Sequence, residues 1–225
     1  MSTPELELTT GFILDERGRI VSTREPQATR GPLFAIIRSA AQCAWAIRDD
    51  IPSAVAEEMA ALAAEEPPTR NFRAAPVHAD RYVALSGGQP GFHGPAFTFP
   101  DTLSLPAGLV QVEDERYLQR HFRGWELGEI GAGRAPVLAV IEDGYPVSIC
   151  FCARRSEKAA AAGLETAEAF RGRGYAPRVT AAWALAIRAT GRVPLYSAAW
   201  SNPASLAVTR KLGLTPHASF WSVSE

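Results

Sequence analysis

The stretch LETAEAFRGRGYAPRVTAAWALAI, Leu164 to Ile187, passes from a strand-like segment into a helical one through two glycines and three arginines. From Pro177 to about Thr190, residues Val179, Ala182, Trp183, Ala186 and Ile187 recur at helical spacing and make one apolar face. Pro177 is tolerated in the first turn, where its missing N–H would have no partner inside the helix. Gly191 is expected to close the helix. A helix start presents unpaired N–H groups and a partial positive charge, so it attracts anions. Glycine lets the backbone come close to one. In Arg171-Gly172-Arg173-Gly174-Tyr175-Ala176 the free donors are expected to be the amides of Arg173, Gly174, Tyr175 and Ala176, with the arginines adding long-range attraction. Position 177 is proline, so the dinucleotide fingerprint G-x-G-x-x-G is not met, and the Gly-Lys-Ser/Thr ending of an ATP phosphate loop is missing. The expected ligand is a diphosphate held mainly by backbone amides. The plain alternative is a solvated turn, and the flanking elements decide between the two.

Those elements form an ordered series. APVLAVIEDGYPVSICFCARR, from Ala135, is two apolar runs joined through Asp143-Gly144, the strongest short hairpin signal. Glu142 and Asp143 are then turn residues. AAAGLETAEAF reads as the strand leading into the glycines, and RVPLYSAAW as a strand after the helix. SNPASLAVTRKLGL is a short helix with Ser201 or Asn202 as its cap and Gly213 as its end, and HASFWSV is a last strand. From residue 135 the order is β-β-β-loop-α-β-α-β, a mixed α/β sheet with the glycines on one strand–loop–helix. Trp183 and Trp200 read as core.

The first 130 residues are less regular. Residues 1–30 are polar and weakly patterned, which suggests an irregular lead-in. Pro32–Pro52 reads as two short apolar strands around Ser39–Gln42, although helical periodicity fits it almost as well. SAVAEEMAALAAEEPP is a helix with Ser53 as N-cap, stopped by Pro67-Pro68. APVHADRYVALSGG is a second short helix ending at Gly87-Gly88, followed by a short strand at Ala96–Phe99. Val112–Trp125 has acidic residues at its start and basic ones at its end, which suggests a third helix.

Composition narrows the class. A chain of 225 residues with 47% hydrophobic residues makes one large domain or two small ones. A formal net charge of -1 gives no basic field for nucleic acid, so an anion site must be local. No apolar run reaches the roughly 20 residues of a membrane span, and no signal peptide is visible. The three cysteines, Cys43, Cys150 and Cys152, have no zinc spacing with each other or with histidine, so no metal is expected. They are expected to be reduced and packed, in a cytoplasmic protein.

Arg-x-x-Gly-x-Ala, Arg171 to Ala176, between a strand and a helix resembles the pyrophosphate signature (Q/R-x-x-G-x-G/A) of the GNAT superfamily of acetyl-CoA-dependent N-acetyltransferases. The order of elements from about 135 to 225 is that of the family. Tyr196-Ser197-x-x-Trp200-x-Asn202-x-x-Ser205, followed by Lys211-Leu212-Gly213-Leu214, is similar to its N-x-x-S…K-L-G-F segment. The resemblance implies an α/β (α+β) fold with a mixed, mostly antiparallel central sheet flanked by helices. It places an acetyl-CoA-binding core at 131–225 and a diverged half at 1–130, which is the substrate side, the start of the same fold, or an interaction module. It implies that Arg171, Arg173, Gly174, Tyr175 and Ala176 hold the pyrophosphate. Leu164, Glu165 and Thr166 would then pair with pantetheine, and Asn202 and Ser205 would meet its arm. Arg210 and Lys211, on the last helix, would then be the cations that meet CoA phosphate. Asn202 also has the simpler reading of a helix cap.

Acetyl transfer from a thioester needs a neutral amine, a protonated leaving thiolate and donors for the acetyl oxygen. The family's usual tyrosine, four residues before the glycine of Lys-Leu-Gly, is Thr209 here. Its usual strand glutamate, about eleven residues before the arginine, is Ala160. Ser205, Glu165 and Tyr196 are the remaining catalytic candidates, with Ser205 first as the thiolate's partner. A covalent acyl carrier at Cys150 is disfavoured, because a buried apolar strand raises a thiol pKa. The expected reaction is direct attack of a primary amine in a ternary complex, the acceptor being a small amine, an amino-acid derivative or a protein N-terminus. A homodimer is left open. The competing class is a non-catalytic acyl-CoA sensor on the same scaffold.

Overall fold

The computed structural model describes residues 3–225. The chain divides into two compact units. The first holds the segment ending at Phe97 with Ser197–Leu206 and Pro216–Glu225; the second holds Thr98–Tyr196 and Ala207–Thr215.

The first unit opens on α1 (Thr3–Gly11) and a small antiparallel pair, β1 (Phe12–Leu14) and β2 (Ile20–Thr23). The irregular lead-in expected for residues 1–30 is therefore corrected, as far as residues 3–30 are described. Leu8, Phe12 and Ile20 bury this part against Ala35 and Ile37, and hydrogen bonds to backbone fix its turn. Asp15 Oδ1 accepts from the amides of Arg17 and Arg19 at 2.9 and 2.8 Å, which closes the turn. The Arg19 guanidinium donates to the carbonyls of Arg48 and Ile51 at 2.6 and 2.8 Å.

Two strands follow, as the sequence suggests: β3 (Phe34–Ser39) and β4 (Cys43–Ile47), paired antiparallel from Phe34↔Ile47 to Arg38↔Cys43. Next are α2 (Ser53–Ala64), α3 (Ala79–Ser86) and β5 (Gln89–Thr98). Helix α2 is capped by Pro52 without a side-chain hydrogen bond, so Ser53 is its first residue and not its cap. Gly87, in the left-handed region, ends α3 as expected. Strand β5 is longer than the predicted Ala96–Phe99, because its glycines serve close packing: a Cβ at Gly94 would collide with the Ala198 carbonyl. The last strand of the chain, β11 (Thr215–Ser224), pairs antiparallel with β3 from Ala218↔Ser39 to Val223↔Phe34. On one face Phe34, Ile36, Met59, Tyr82, Trp221 and Val223 form a core, with the Phe34 and Tyr82 rings stacked 4.2 Å apart.

The second unit has strands β6 (Val110–Gln111), β7 (Leu138–Glu142), β8 (Tyr145–Arg155), β9 (Ala159–Thr166) and β10 (Val193–Ser197), in the order β10-β9-β8-β7-β6. All neighbours are antiparallel except β9 and β10. The Asp143-Gly144 hairpin is present, with φ of 49° and 80°, the positive pair a tight hairpin turn needs. Helix α4 (Tyr175–Ala189) packs against β7, β8 and β9 through Val179, Ala182, Trp183 and Ile187, so the predicted apolar face is buried apart from a half-buried Ala186. Helix α5 (Pro203–Lys211) precedes β11. The helix expected at Val112–Trp125 is not formed. Asp114 caps a single short turn, Glu115–Tyr117, and the Glu115 carboxylate accepts the amides of Gly128 and Ile130 instead of supporting a helix start. Leu118, Phe122 and Trp125 reach the core as turn residues, beside Val137, Ala139, Ile149 and Phe151. The fold is thus a mixed, mostly antiparallel α/β arrangement with flanking helices.

Candidate functional site

The loop between β9 and α4 is built by alternating backbone states. Arg171 is extended (φ −66°, ψ 156°), Gly172 has φ 81°, and Gly174 caps α4 at φ 79°, ψ 14°. Among the described residues, no backbone or side-chain acceptor meets the amides of Arg173, Gly174, Tyr175 or Ala176. The four expected donors therefore stand open at one helix start. The arginines brace the loop as well as charging it. Arg171 Nε donates to the Thr166 carbonyl at 3.2 Å, and an Arg173 terminal nitrogen donates to the Ala169 carbonyl at 3.2 Å. The Arg173 guanidinium also lies 4.8 Å from the centre of the Phe170 ring. The Tyr175 hydroxyl donates to the Glu142 carboxylate, tying the helix start to the end of β7.

Strand β9 leads into this loop and loses one neighbour on the way. Its parallel register with β10 runs Ala159↔Val193, Ala160↔Pro194 and Ala161↔Leu195, and stops there. On its other edge β9 stays paired with β8 as far as Thr166↔Ser148. Residues 162–166 thus carry a ladder on one edge only. Leu164 and Thr166 are opposite Cys150 and Ser148 and share the face of α4; the Ser148 and Thr166 hydroxyls lie 2.8 Å apart. Glu165, opposite Ile149, points to the other face, where the Trp125–Phe151 core lies. Its chain is exposed, yet partial burial of the carboxyl pushes its pKa up; Arg134 pulls the other way, and Glu129 adds to the rise.

The remaining candidates differ in setting. Tyr196 is buried in the second unit, 2% exposed, edge-on to Phe99. Thr209 and Ala160 are buried too. Asn202 and Ser205 belong to the first unit. Asn202 Oδ1 accepts the Ser205 amide at 3.0 Å, the bond of a helix cap, so its simpler structural role is present. Arg210 and Lys211 are exposed at the end of α5. All three cysteines are free thiols, and burial pushes Cys150 well above the usual thiol range. Among the described residues no cluster suits a metal ion, and no helix is long and apolar enough to cross a membrane.

Sequence reasoning missed Glu129 and Arg134. Glu129 caps a π-turn, Ile130–Arg134, that Arg134 ends, and the two pair at 3.4 Å with Glu129 buried. The glycines of Gly128-Glu129-Ile130-Gly131-Ala132-Gly133-Arg134 were the available signal, because π-turns gather at functional positions.

Comparison with known proteins bears on the fold. Residues 119–220 match the family model described as GNAT acetyltransferase. No curated protein sequence matches the chain. Solved structures similar to it include a GCN5-related N-acetyltransferase from Sphaerobacter thermophilus, 16% identical over 94% of this chain and 78% of that one, with a TM-score of 0.51. Two further similar structures are GNAT-family acetyltransferases. The one from Novosphingobium aromaticivorans is 20% identical over 61% of this chain and 66% of its own, TM-score 0.48. The one from Colwellia psychrerythraea is 14% identical over 64% and 62%, TM-score 0.47. The chain spans a little under two thirds of these last two. At such identities the likeness is one of fold. Residues 119–220, a little under half of the chain, are thus similar to the GNAT acetyltransferase family.

Proposed function

We propose that this protein is an N-acetyltransferase that moves the acetyl group of acetyl-CoA to a primary amine by direct attack in a ternary complex, with residues 131–225 as its acetyl-CoA-binding core. The observation that carries the reading is the junction of a half-paired strand with an open helix start. Residues 162–166 of β9 have one unpaired edge, and four unpartnered amides, Arg173 to Ala176, follow directly. Pantetheine carries amides suited to an open strand edge, and a diphosphate suits a group of N–H donors at a helix start. Arg171 and Arg173 add charge there. Asn202 and Ser205 are the further residues assigned to the arm, and Ser205, Glu165 and Tyr196 are the candidates for proton handling.

Glu165 is the favoured proton acceptor, because a carboxylate with a raised pKa is a better base near neutral pH than an ordinary one. Ser205 remains the first candidate to protonate the leaving thiolate. Cys150 is not an acyl carrier in this reading, since its thiolate is suppressed. A small-molecule or peptide amine is the acceptor, and the protein acts in the cytoplasm. A second reading, a non-catalytic acyl-CoA sensor, draws on the buried Thr209 and Ala160 where the family's tyrosine and glutamate would stand. Calorimetry with CoA, followed by thiol release from acetyl-CoA across a panel of primary amines, separates the two. Binding with amine-dependent thiol release supports the transferase; binding without release from any amine supports the sensor.

A further inference from the structure

We propose that Arg38, Ser219 and His93 form a carboxylate site on the sheet of the first unit, and that the acceptor is an amino acid or another amine that carries a carboxylate. The inference rests on the transferase reading and adds to it the second functional group of the acceptor. The three residues come from adjacent strands, in the order β3-β11-β5. Arg38 is directly opposite Ser219 in the antiparallel register, so the two side chains share a face. It is the face of Phe34, Ile36, Trp221 and Val223. Phe92 lies on the other face, with its ring 5.0 Å from that of Phe220. Side chains alternate along a strand, so His93 returns to the face of Arg38 and Ser219.

Each of the three carries a buried polar atom with no hydrogen-bond partner among the described residues: Arg38 Nε, Ser219 Oγ and His93 Nε2. Arg38 is 2% exposed and Ser219 1%. A single atom of this kind is costly, and three on neighbouring strands point to a bound group. The nearest carboxylate does not fill that role. Glu66 accepts the amides of Val77 and His78 at 2.9 and 2.8 Å and the Tyr82 hydroxyl at 3.2 Å, and it stays 3.7 Å from a terminal nitrogen of Arg38. The other terminal nitrogen donates to the Ala74 carbonyl. Burial and the Arg38 charge hold the His93 pKa below its usual value, so at pH 7 the ring is neutral and has one N–H to donate. A guanidinium with two neutral donors, close to Glu66, suits a monoanion better than a phosphate dianion, which the Glu66 charge would repel. Residues 72–74 cover the group. The Phe72 carbonyl accepts from Trp200 Nε1 at 3.2 Å, and the Ala74 carbonyl is held by Arg38. The Trp200 amide donates to the His93 carbonyl at 3.0 Å, and Asn202, assigned above to the pantetheine arm, is two residues further on. Acetyl-CoA carries no carboxylate, so in the transferase reading the group belongs to the acceptor.

The test is binding of the common amino acids and their carboxamides to the full-length protein, by thermal shift and then calorimetry, which needs no turnover. At least one amino acid is expected to bind, and its carboxamide about tenfold or more weaker, because a neutral amide loses the charge-assisted hydrogen bonds. Ser219→Ala and His93→Gln are each expected to weaken that amino acid about tenfold or more. Without ligand, Ser219→Ala should melt at the same temperature or higher, since it removes a buried hydroxyl that the fold leaves unpaired. A clear fall in its melting temperature would show that the hydroxyl serves the fold, and would overturn the proposal. So would a panel in which no amino acid binds, carboxamides that bind as tightly as the acids, or unchanged affinity in either variant. If an amino acid binds through these residues and no thiol is released from acetyl-CoA, the transferase reading fails and the carboxylate site stands. If amines release thiol with no preference for a carboxylate, the transferase reading stands and the carboxylate site falls.

Discussion

Replacing Gly174 by valine gives a quantitative test of the anion loop. Gly174 sits at φ 79°, ψ 14°, and nothing lies within 4 Å of where a Cβ would stand. The substitution therefore meets no clash; its cost is the left-handed backbone, about 1–2 kcal/mol for an L-residue and more for a β-branched one. Relief of that strain would turn the amides of Arg173 to Ala176 away from a common centre. A hydrogen bond to a charged group contributes about 1.5–3 kcal/mol, so losing two of the four weakens CoA by roughly 100-fold or more. Gly191 supplies the control. It follows the other end of the same helix at φ 78°, also with nothing within 4 Å. Gly191→Val should lower the melting temperature by a similar few degrees and leave CoA affinity unchanged. The assay is calorimetric titration of both variants with CoA, alongside thermal melts. Equal CoA affinity in the two variants would refute the reasoning.

Further outcomes follow from the packing. Glu66→Ala strands Arg38, which is 2% exposed, and removes the acceptor of the Val77 and His78 amides; a loss of about 3–5 kcal/mol is expected in chemical denaturation. By contrast, Glu58→Ala breaks only an exposed pair with Arg81 and should cost under about 1 kcal/mol. Asn202→Ala removes the α5 cap and should cost about 1 kcal/mol, with Asn202→Asp restoring most of it. Cys150→Ala should retain acetyl transfer, and native Cys150 should resist iodoacetamide at pH 8, because burial keeps its thiol protonated there. Rapid labelling of Cys150 in the folded protein would contradict that.

Legibility in the sequence followed the kind of force at work. Helix α4 and the Asp143-Gly144 hairpin were readable because apolar spacing and positive-φ turn chemistry are local. The RGRGYA loop was readable because its donors are backbone amides fixed by two glycines. The N-terminal strands were not, since the Asp15 carboxylate closes their turn on the Arg17 and Arg19 amides and the Arg19 guanidinium reaches backbone carbonyls distant in sequence. Val112–Trp125 showed helical charge asymmetry, but Glu115 spends its carboxylate on Gly128 and Ile130. The facing of Glu165 was open until the register with Ile149 fixed it. Glu129 and Arg134 were illegible because the Phe151 ring, not sequence spacing, links them to β9.

The most direct test is a crystal structure with CoA bound. The diphosphate oxygens should lie within hydrogen-bonding distance of the amides from Arg173 to Ala176, with pantetheine along the open edge of residues 162–166 and its sulfur on the Glu165 side. A diphosphate seated elsewhere, with those amides facing solvent, would contradict the assignment.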